Sequence, residues 1–231
     1  TFISALLFRL GNVKKNIGYN REGRGFLLDF SPEINYHKHY INRYAFLFNE
    51  YIGNKYVYLP ELSLRHTGQK TFQFDNSHKT IALYLGGENK EFRKYPDEYA
   101  VQLLRLLNRQ GYNLLLIGDE NDNIKHTQYA EEARIDHLIN LTARTTIEGF
   151  INTIANVDLI ITIDSSALHI AAAVKTPFIA LMGLSTSPTS TILPKVPLGR
   201  ILKIENNLIR EEDYIRNITP DLILKTISEL I

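Results

Sequence analysis

From residue 80 onward, short continuous apolar runs recur, and between them lie stretches whose apolar residues fall on one helical face. A run with no polar alternation has to be buried on both faces, and strands of that kind belong to parallel sheets covered by crossover helices. This alternation restricts residues 80–231 to an α/β domain with a parallel sheet. Strands are predicted at 80–85, 113–117, 138–141, 159–163, 178–182 and 200–204. Between them, Ala100, Leu103, Leu104 and Leu107 form one helical stripe, Ile147, Phe150, Ile151 and Ile154 a second, and Ile223, Ile227 and Leu230 a last. Pro96 with Asp97 and Glu98 reads as a helix start, Thr145 with Glu148 as a capping box, and Thr219-Pro220-Asp221 as another start. Gly111 reads as a helix stop.

Residues 1–65 differ, being rich in Tyr, Phe, Asn and bases, with one strand-like unit ending near Ile17, Gly18 and Tyr19. They are read as the C-terminal part of a preceding domain, joined through a polar linker over 66–79 to the domain at 80–231. The chain opens on Thr1 in mid-element chemistry, and the expectation is a piece whose upstream part is missing. Phe2, Leu6, Leu7 and Phe8 are then expected to lack a complete sheet to cover them. Residues 1–70 carry ten Lys/Arg against five Asp/Glu although the net charge of the 231 residues is only +1. Arg9, Lys14, Lys15, Arg21, Arg24, Lys38 and Arg43, with His37 and His39, either face an anionic glycolipid or membrane surface or are simply solvated. No nucleic-acid motif accompanies these bases, so a nucleic-acid partner is not expected. The absence of Cys removes disulfides, Cys-ligated metals and thiol nucleophiles, and a cytoplasmic protein is expected.

Chemistry concentrates in three segments. In VDLIITIDSSALHIAAAVKTPFIALMG, residues 157–183, a buried strand ends at Asp164, two small serines follow, and an alanine-rich helix begins. Ligands of open parallel sheets bind at the carboxyl ends of strands, where a following helix start offers N–H groups to a phosphate. Asp164 suits sugar hydroxyls, and Ser165 and Ser166 suit close approach of backbone to an anion. The alternative is that Ser165 only caps the helix, and His169 reads equally as a packing residue. In TIALYLGGENKEFRKYPDEYAVQLL, residues 80–104, a strand runs into Gly86 and Gly87 and then Arg93 and Lys94. Two glycines do not make the dinucleotide fingerprint, which removes an NAD-dependent oxidoreductase. Arg93 suits the charge on a leaving diphosphate, and the competing reading is an exposed Arg–Lys pair before a helix. In LLLIGDENDN, residues 114–123, Glu120 suits ribose hydroxyls, and the carboxylate spacing is not that of an EF-hand metal loop.

The order of these segments resembles the C-terminal half of glycosyltransferase family 9, the heptosyltransferases of lipopolysaccharide core synthesis. RKYP at 93–96 matches a Lys-x-Trp-Pro helix start, and GDE at 118–120 an acidic strand end. LTARTTIEGF at 141–150, DSSALHIAAA at 164–173, TPFIALMGLST at 176–186 and ITPDLILKTI at 218–227 follow in the family's order. Upstream, KNIGY at 15–19 and HKHYINRY at 37–44 are similar to a turn and a helix of its N-terminal domain. Here Arg93, Tyr95, Ser166 and Leu184 stand where the family has Lys, Trp, Gly and Pro.

The resemblance implies a GT-B fold of two Rossmann-like domains, the N-terminal one incomplete. It implies inverting, metal-independent transfer of a sugar, by family default heptose from ADP-heptose, to a lipopolysaccharide-core-type acceptor, with no cofactor. It assigns donor binding to Gly87, Lys94, Glu120, Thr145, Asp164, Ser165, Ser166 and His169, and leaving-group stabilisation to Arg93. The general base is expected upstream of Thr1, and a non-catalytic nucleotide-sugar-binding module is the alternative to a transferase.

Overall fold

The computed structural model describes residues 1–37, 39–56, 62–74, 77–184, 193–194, 196–204 and 210–231. Lys38, Asp75, Asn76, Ser185 and Thr186, which figured in the sequence reading, lie outside the described residues. The chain divides into two compact units, Thr1–Glu61 with Ser187–Leu193, and Leu62–Thr186 with Pro194–Ile231.

Among its described residues the second unit carries six strands: β1 (Thr80–Tyr84), β2 (Asn113–Leu116), β3 (Leu138–Asn140), β4 (Leu159–Ile163), β5 (Phe178–Leu181) and β6 (Gly199–Leu202). Each lies within two residues of a predicted run. Every residue of β1, β2, β4 and β5 is buried, which is why those runs show no polar alternation. All pairings are parallel, in the order β3-β2-β1-β4-β5-β6. The chain therefore winds outward from β1 to β3, returns to the middle, and winds the other way from β4 to β6. This order makes the β1–β4 junction the topological switch point of a Rossmann-like sheet.

Among the described residues, four helices that join or follow these strands are α3 (Asp97–Arg109), α5 (Ile147–Ala155), α6 (Ser166–Val174) and α7 (Pro220–Ile227). A fifth, α4 (Asn123–Ala133), lies between β2 and β3. Right-handed crossovers running in opposite directions from the switch point place their helices on opposite faces. Accordingly α3 packs with α4 and α7, and α5 packs with α6. The stripe Ala100, Leu103, Leu104 and Leu107 is fully buried. Tyr95, standing where the family has Trp, is also fully buried, and its hydroxyl donates to the Ile218 carbonyl at 2.9 Å.

Two local expectations shift by one residue. The α5 cap is Thr146, whose hydroxyl accepts from Gly149 N at 3.1 Å, so Thr145–Glu148 is not a capping box. Pro96 occupies the N-cap of α3, one position before the first helical turn. Thr219 caps α7 with Pro220 at its first position, and Gly111 follows α3 at φ +81°.

Part of the stretch read as a linker packs on the α/β unit. Just before it, Leu64, read as part of the preceding domain, donates its N–H to Ala173 O at the end of α6. Asn152 of α5 accepts from Thr67 N at 3.0 Å and donates to Thr67 Oγ1 at 2.8 Å, and Thr71 and Thr153 share a hydroxyl contact at 2.6 Å.

The first unit holds α1 (Phe2–Leu10), a parallel bridge between Ile17 and Phe30, and α2 (Tyr40–Tyr51). Buried Asn16 organises its loops by donating to the carbonyls of Ala5 and Leu27. Ile3, Leu7 and Leu10 of α1 are exposed, as are Phe2, Leu6 and Phe8 to a smaller degree. No helix of the described residues is long and apolar enough to cross a membrane.

Candidate functional site

At the carboxyl ends of β1 to β4 lies a cavity of about 550 Å³. Its apolar lining comes from Tyr84 at the end of β1, Ala143 after β3, Ile147 and Phe150 of α5, and Ile170 of α6. Tyr84 and Phe150 meet edge to face, with ring centroids 6.4 Å apart. Its polar lining comes from Gly118, Asp119 and Glu120 after β2, Thr145 and Thr146, and Ser166 at the start of α6. A larger cavity of about 640 Å³, lined by Lys70, Lys79, Thr80 and Asp158 among others, lies at the opposite ends of the strands. Open parallel sheets place ligands at the carboxyl ends, so the first cavity is the candidate site.

The acidic residues of the lining sit on a turn that caps itself. Asp119 Oδ1 accepts from Asn121 N at 2.8 Å, and Asp122 Oδ2 accepts in return from Asp119 N at 3.0 Å, closing a reciprocal cap that leaves Glu120 exposed at the rim. Burial works against ionisation of Asp119. The Asn121 amide and the Lys90 ammonium outweigh it and hold the carboxyl below its usual range. Burial, followed by the Asp122 and Asp119 carboxylates, pushes the Tyr84 phenol far above its ordinary value, so it remains a proton donor.

Beneath this turn, Asp122 and His126 are fully buried, one helical turn apart. His126 Nδ1 lies 2.8 Å from Thr142 Oγ1, which ties α4 to the loop after β3. Burial drives the His126 imidazole down to about 4, the Asp122 and Asp119 charges only partly opposing it. The same loop contains Ala143 at φ +60°, hydrogen-bonded to Gly118 O at 3.1 Å. A left-handed alanine costs on the order of 1 kcal/mol, held here by the contact between the two loops that wall the cavity.

The residues singled out in the sequence are only partly brought together. Glu120, Thr145 and Ser166 line the cavity. Ser165 is the N-cap of α6, its hydroxyl accepting from Ala167 N at 3.2 Å and lying 3.0 Å from Thr162 Oγ1. Asp164 is half-buried between β4 and that cap and is outside the cavity lining. Ser166 and Ile170 are four residues apart and share a helical face, so Ile170, not His169, is the second α6 side chain on the cavity. Lys94 forms an ion pair with Asp97 at 2.8 Å and lines a different surface hollow with Arg210 and Arg216.

Gly87 has a packing reason to be glycine. A Cβ there would lie 2.4 Å from Asn121 O and 2.7 Å from Asp122 Cα, so the loop after β1 rests on the acidic turn. Arg93 is half-buried at the end of a 3-10 segment, Glu88–Arg93. The preceding carbonyl, Phe92 O, would lie 2.6 Å from a Cβ on Gly183, which sets that end of the segment beside the end of β5.

The sequence reading missed Tyr84, Asp119, Ala143, Ile147, Phe150 and Ile170. Tyr84 and Asp119 could have been found from their places at the ends of β1 and β2; the others belong to elements that only the fold brings together.

Comparison with known proteins agrees with this architecture. Residues 1–212 match the family model described as glycosyltransferase family 9 (heptosyltransferase). Lipooligosaccharide heptosyltransferase 2 of Haemophilus influenzae is 31% identical over 163 residues, covering 65% of this chain and 47% of that protein. Lipopolysaccharide heptosyltransferase 2 of Salmonella typhimurium is 25% identical over 172 residues, covering 69% and 49%. The chain thus spans about half the length of these curated relatives. Among solved structures, the Escherichia coli ADP-heptose LPS heptosyltransferase II superposes with a TM-score of 0.81 at 22% identity, covering 100% of this chain and 73% of that one. The E. coli heptosyltransferase WaaC with ADP gives a TM-score of 0.74 at 17% identity, covering 100% and 70%. These likenesses establish the GT-B fold, and from the family match, the chain belongs to glycosyltransferase family 9, the heptosyltransferase family.

Proposed function

We propose that this chain binds a nucleoside-diphosphate sugar at the carboxyl ends of β1 to β4 and serves transfer of that sugar, in the family heptose from ADP-heptose, to a lipopolysaccharide-core acceptor. The observation that carries the reading is a cavity at the carboxyl ends of the strands whose lining combines aromatic and aliphatic side chains with carboxylates and hydroxyls, with a helix start among them. Tyr84, Ile147 and Phe150 suit the faces of a nucleobase, with Thr145 beside it. Glu120 suits ribose hydroxyls. The amide end of α6 at Ser165 and Ser166 suits the diphosphate. Asp164, at the end of β4, is left for hydroxyls of the donor sugar.

In the proposed inverting transfer, the acceptor hydroxyl attacks the anomeric carbon as the bond to the diphosphate oxygen breaks, and the hydroxyl proton passes to a carboxylate. Negative charge grows on the leaving diphosphate. Protein dipoles and cations placed there act without reorganising during the reaction, and the α6 N-terminus and Arg93 are the groups proposed for that task. The acceptor is proposed to be an anionic glycolipid reached at a membrane surface.

Calorimetric titration of ADP, GDP, UDP, CDP and ADP-heptose into the purified chain tests the reading. Saturable binding of one diphosphate and its sugar conjugate, lost on Ser166→Trp, supports it. Failure of all five to bind refutes it. Transfer assayed with and without EDTA tests metal independence, and transfer abolished by EDTA and restored by a divalent cation would overturn that part.

A further inference from the structure

Lys90 is a basic side chain that the fold brings beside two residues of the cavity lining, Asp119 and Tyr84. It lies in the 3-10 segment after β1, and its ammonium is 3.4 Å from Asp119 Oδ2 and 5.8 Å from the centroid of the Tyr84 ring. Both of those partners line the cavity. The Lys90 stem is fixed from below: Gly86 is left-handed at φ +81°, and a Cβ there would meet Lys90 Cγ at 3.1 Å and Ile163 Cδ1 at 2.7 Å. Gly86 therefore lets the lysine stem and the end of β4 close over the switch point. The side chain is only 21% exposed, so the charge is partly withdrawn from water and is more effective than a solvated lysine. Lys94, four residues on, is paired with Asp97 and lines another hollow.

We infer that Lys90 is a further donor-binding residue, which engages the phosphates of the nucleoside diphosphate from the β1–β2 side of the cavity. This inference rests on the donor reading given above. It divides the electrostatic work along one short segment, with Lys90 at the Asp119 side and Arg93 at the end that lies beside Gly183 and β5. Without donor, Asp119 holds the ammonium in place. A diphosphate carries more charge than one carboxylate and presents several acceptor oxygens, so it competes for the lysine and releases Asp119 toward the ribose. The aromatic face of Tyr84 supports the cation in both positions. The placement of Lys90 three residues before Arg93 gave no signal in the sequence, because the charge becomes relevant only when the loop folds back over Gly86.

The test is isothermal titration of ADP and of adenosine into the wild-type chain, Lys90→Met and Lys90→Arg. Methionine keeps the stem that packs on Gly86 and removes the charge. Loss of a charge-assisted phosphate contact weakens ADP binding by ~10- to 100-fold and adenosine binding by less than ~2-fold, with Lys90→Arg recovering most of the ADP affinity. The dependence of ADP affinity on salt concentration also becomes shallower in Lys90→Met. Unchanged ADP affinity in Lys90→Met, or equal losses for ADP and adenosine, overturns the inference while leaving the donor site standing. A wild-type chain that binds no nucleoside diphosphate overturns the donor reading and this inference with it.

Discussion

Acidification should destabilise this fold through His126 well before the carboxylates titrate. The imidazole is fully buried beneath the acidic turn and is held neutral, with burial lowering it to about 4 against 6.5 for a free side chain. Between those values the unfolded chain binds a proton that the folded chain refuses, so stability is complete above pH 6.5 and falls as the pH drops toward 4. The whole interval corresponds to about 3 kcal/mol, and about 2 kcal/mol is already lost at pH 5. That is a large share of a total stability of roughly 5–15 kcal/mol. Asp97, which Lys94, Tyr129 and Lys125 hold at about 2 against its burial, and Asp119 lose their contributions only as the pH falls below the ordinary carboxylate value, so pH 5 largely isolates the histidine. The assay is urea unfolding of wild type and His126→Gln at pH 7.5 and pH 5. Glutamine loses stability at both pH values, but the gap between the two proteins should shrink by about 2 kcal/mol at pH 5, since only wild type has a proton to refuse. Parallel pH dependences would refute the assignment, and an imidazole titrating near 6.5 by NMR in the folded chain would do so directly.

The other expectations are local. Thr146→Ala should cost about 1 kcal/mol through loss of the α5 cap, whereas Thr145→Ala should leave stability within about 0.5 kcal/mol, as read by denaturant unfolding; the reverse order would restore Thr145 as the cap. Gly87→Ala places a methyl against backbone atoms of Asn121 and Asp122 and should destabilise by roughly 1–3 kcal/mol, with ADP affinity falling alongside; a neutral thermal melt would contradict the packing. Asp164→Ala should weaken binding of a nucleotide sugar more than of the bare diphosphate, and Arg93→Ala the opposite, by calorimetry; equal losses for the two ligands would remove this division of labour.

The strands were legible because burial on both faces leaves a local trace: FIAL has no polar residue, and the one polar residue of LIITI, Thr162, is buried with the rest. Helices were legible where their buried stripe is aliphatic, as in α3. The α4 helix escaped notice because its buried side chains are His126, Tyr129 and Ala133, at helical spacing but without an aliphatic stripe. The α6 start was readable from Ser165, since a cap is an interaction over two residues. By contrast, nothing local distinguishes Thr145 from Thr146 as a cap, and the choice was settled by the path of the loop after β3.

By itself, then, the sequence determined the parallel α/β class, the strand positions, the acidic turn after β2, the serine cap of α6, and the resemblance that the family match bears out. Strand order, and with it the switch point between β1 and β4, is a property of non-local pairing, and only the tertiary structure decided it. The apolar lining followed from the same cause: Tyr84, Ala143, Phe150 and Ile170 come from four segments and line one cavity because the sheet order sets their loops side by side. The structure also separated Lys94 from the cavity and brought Lys90 beside two residues of its lining. A charge four residues away in sequence is displaced to another surface by one turn of backbone, and no spacing rule records which way that turn faces.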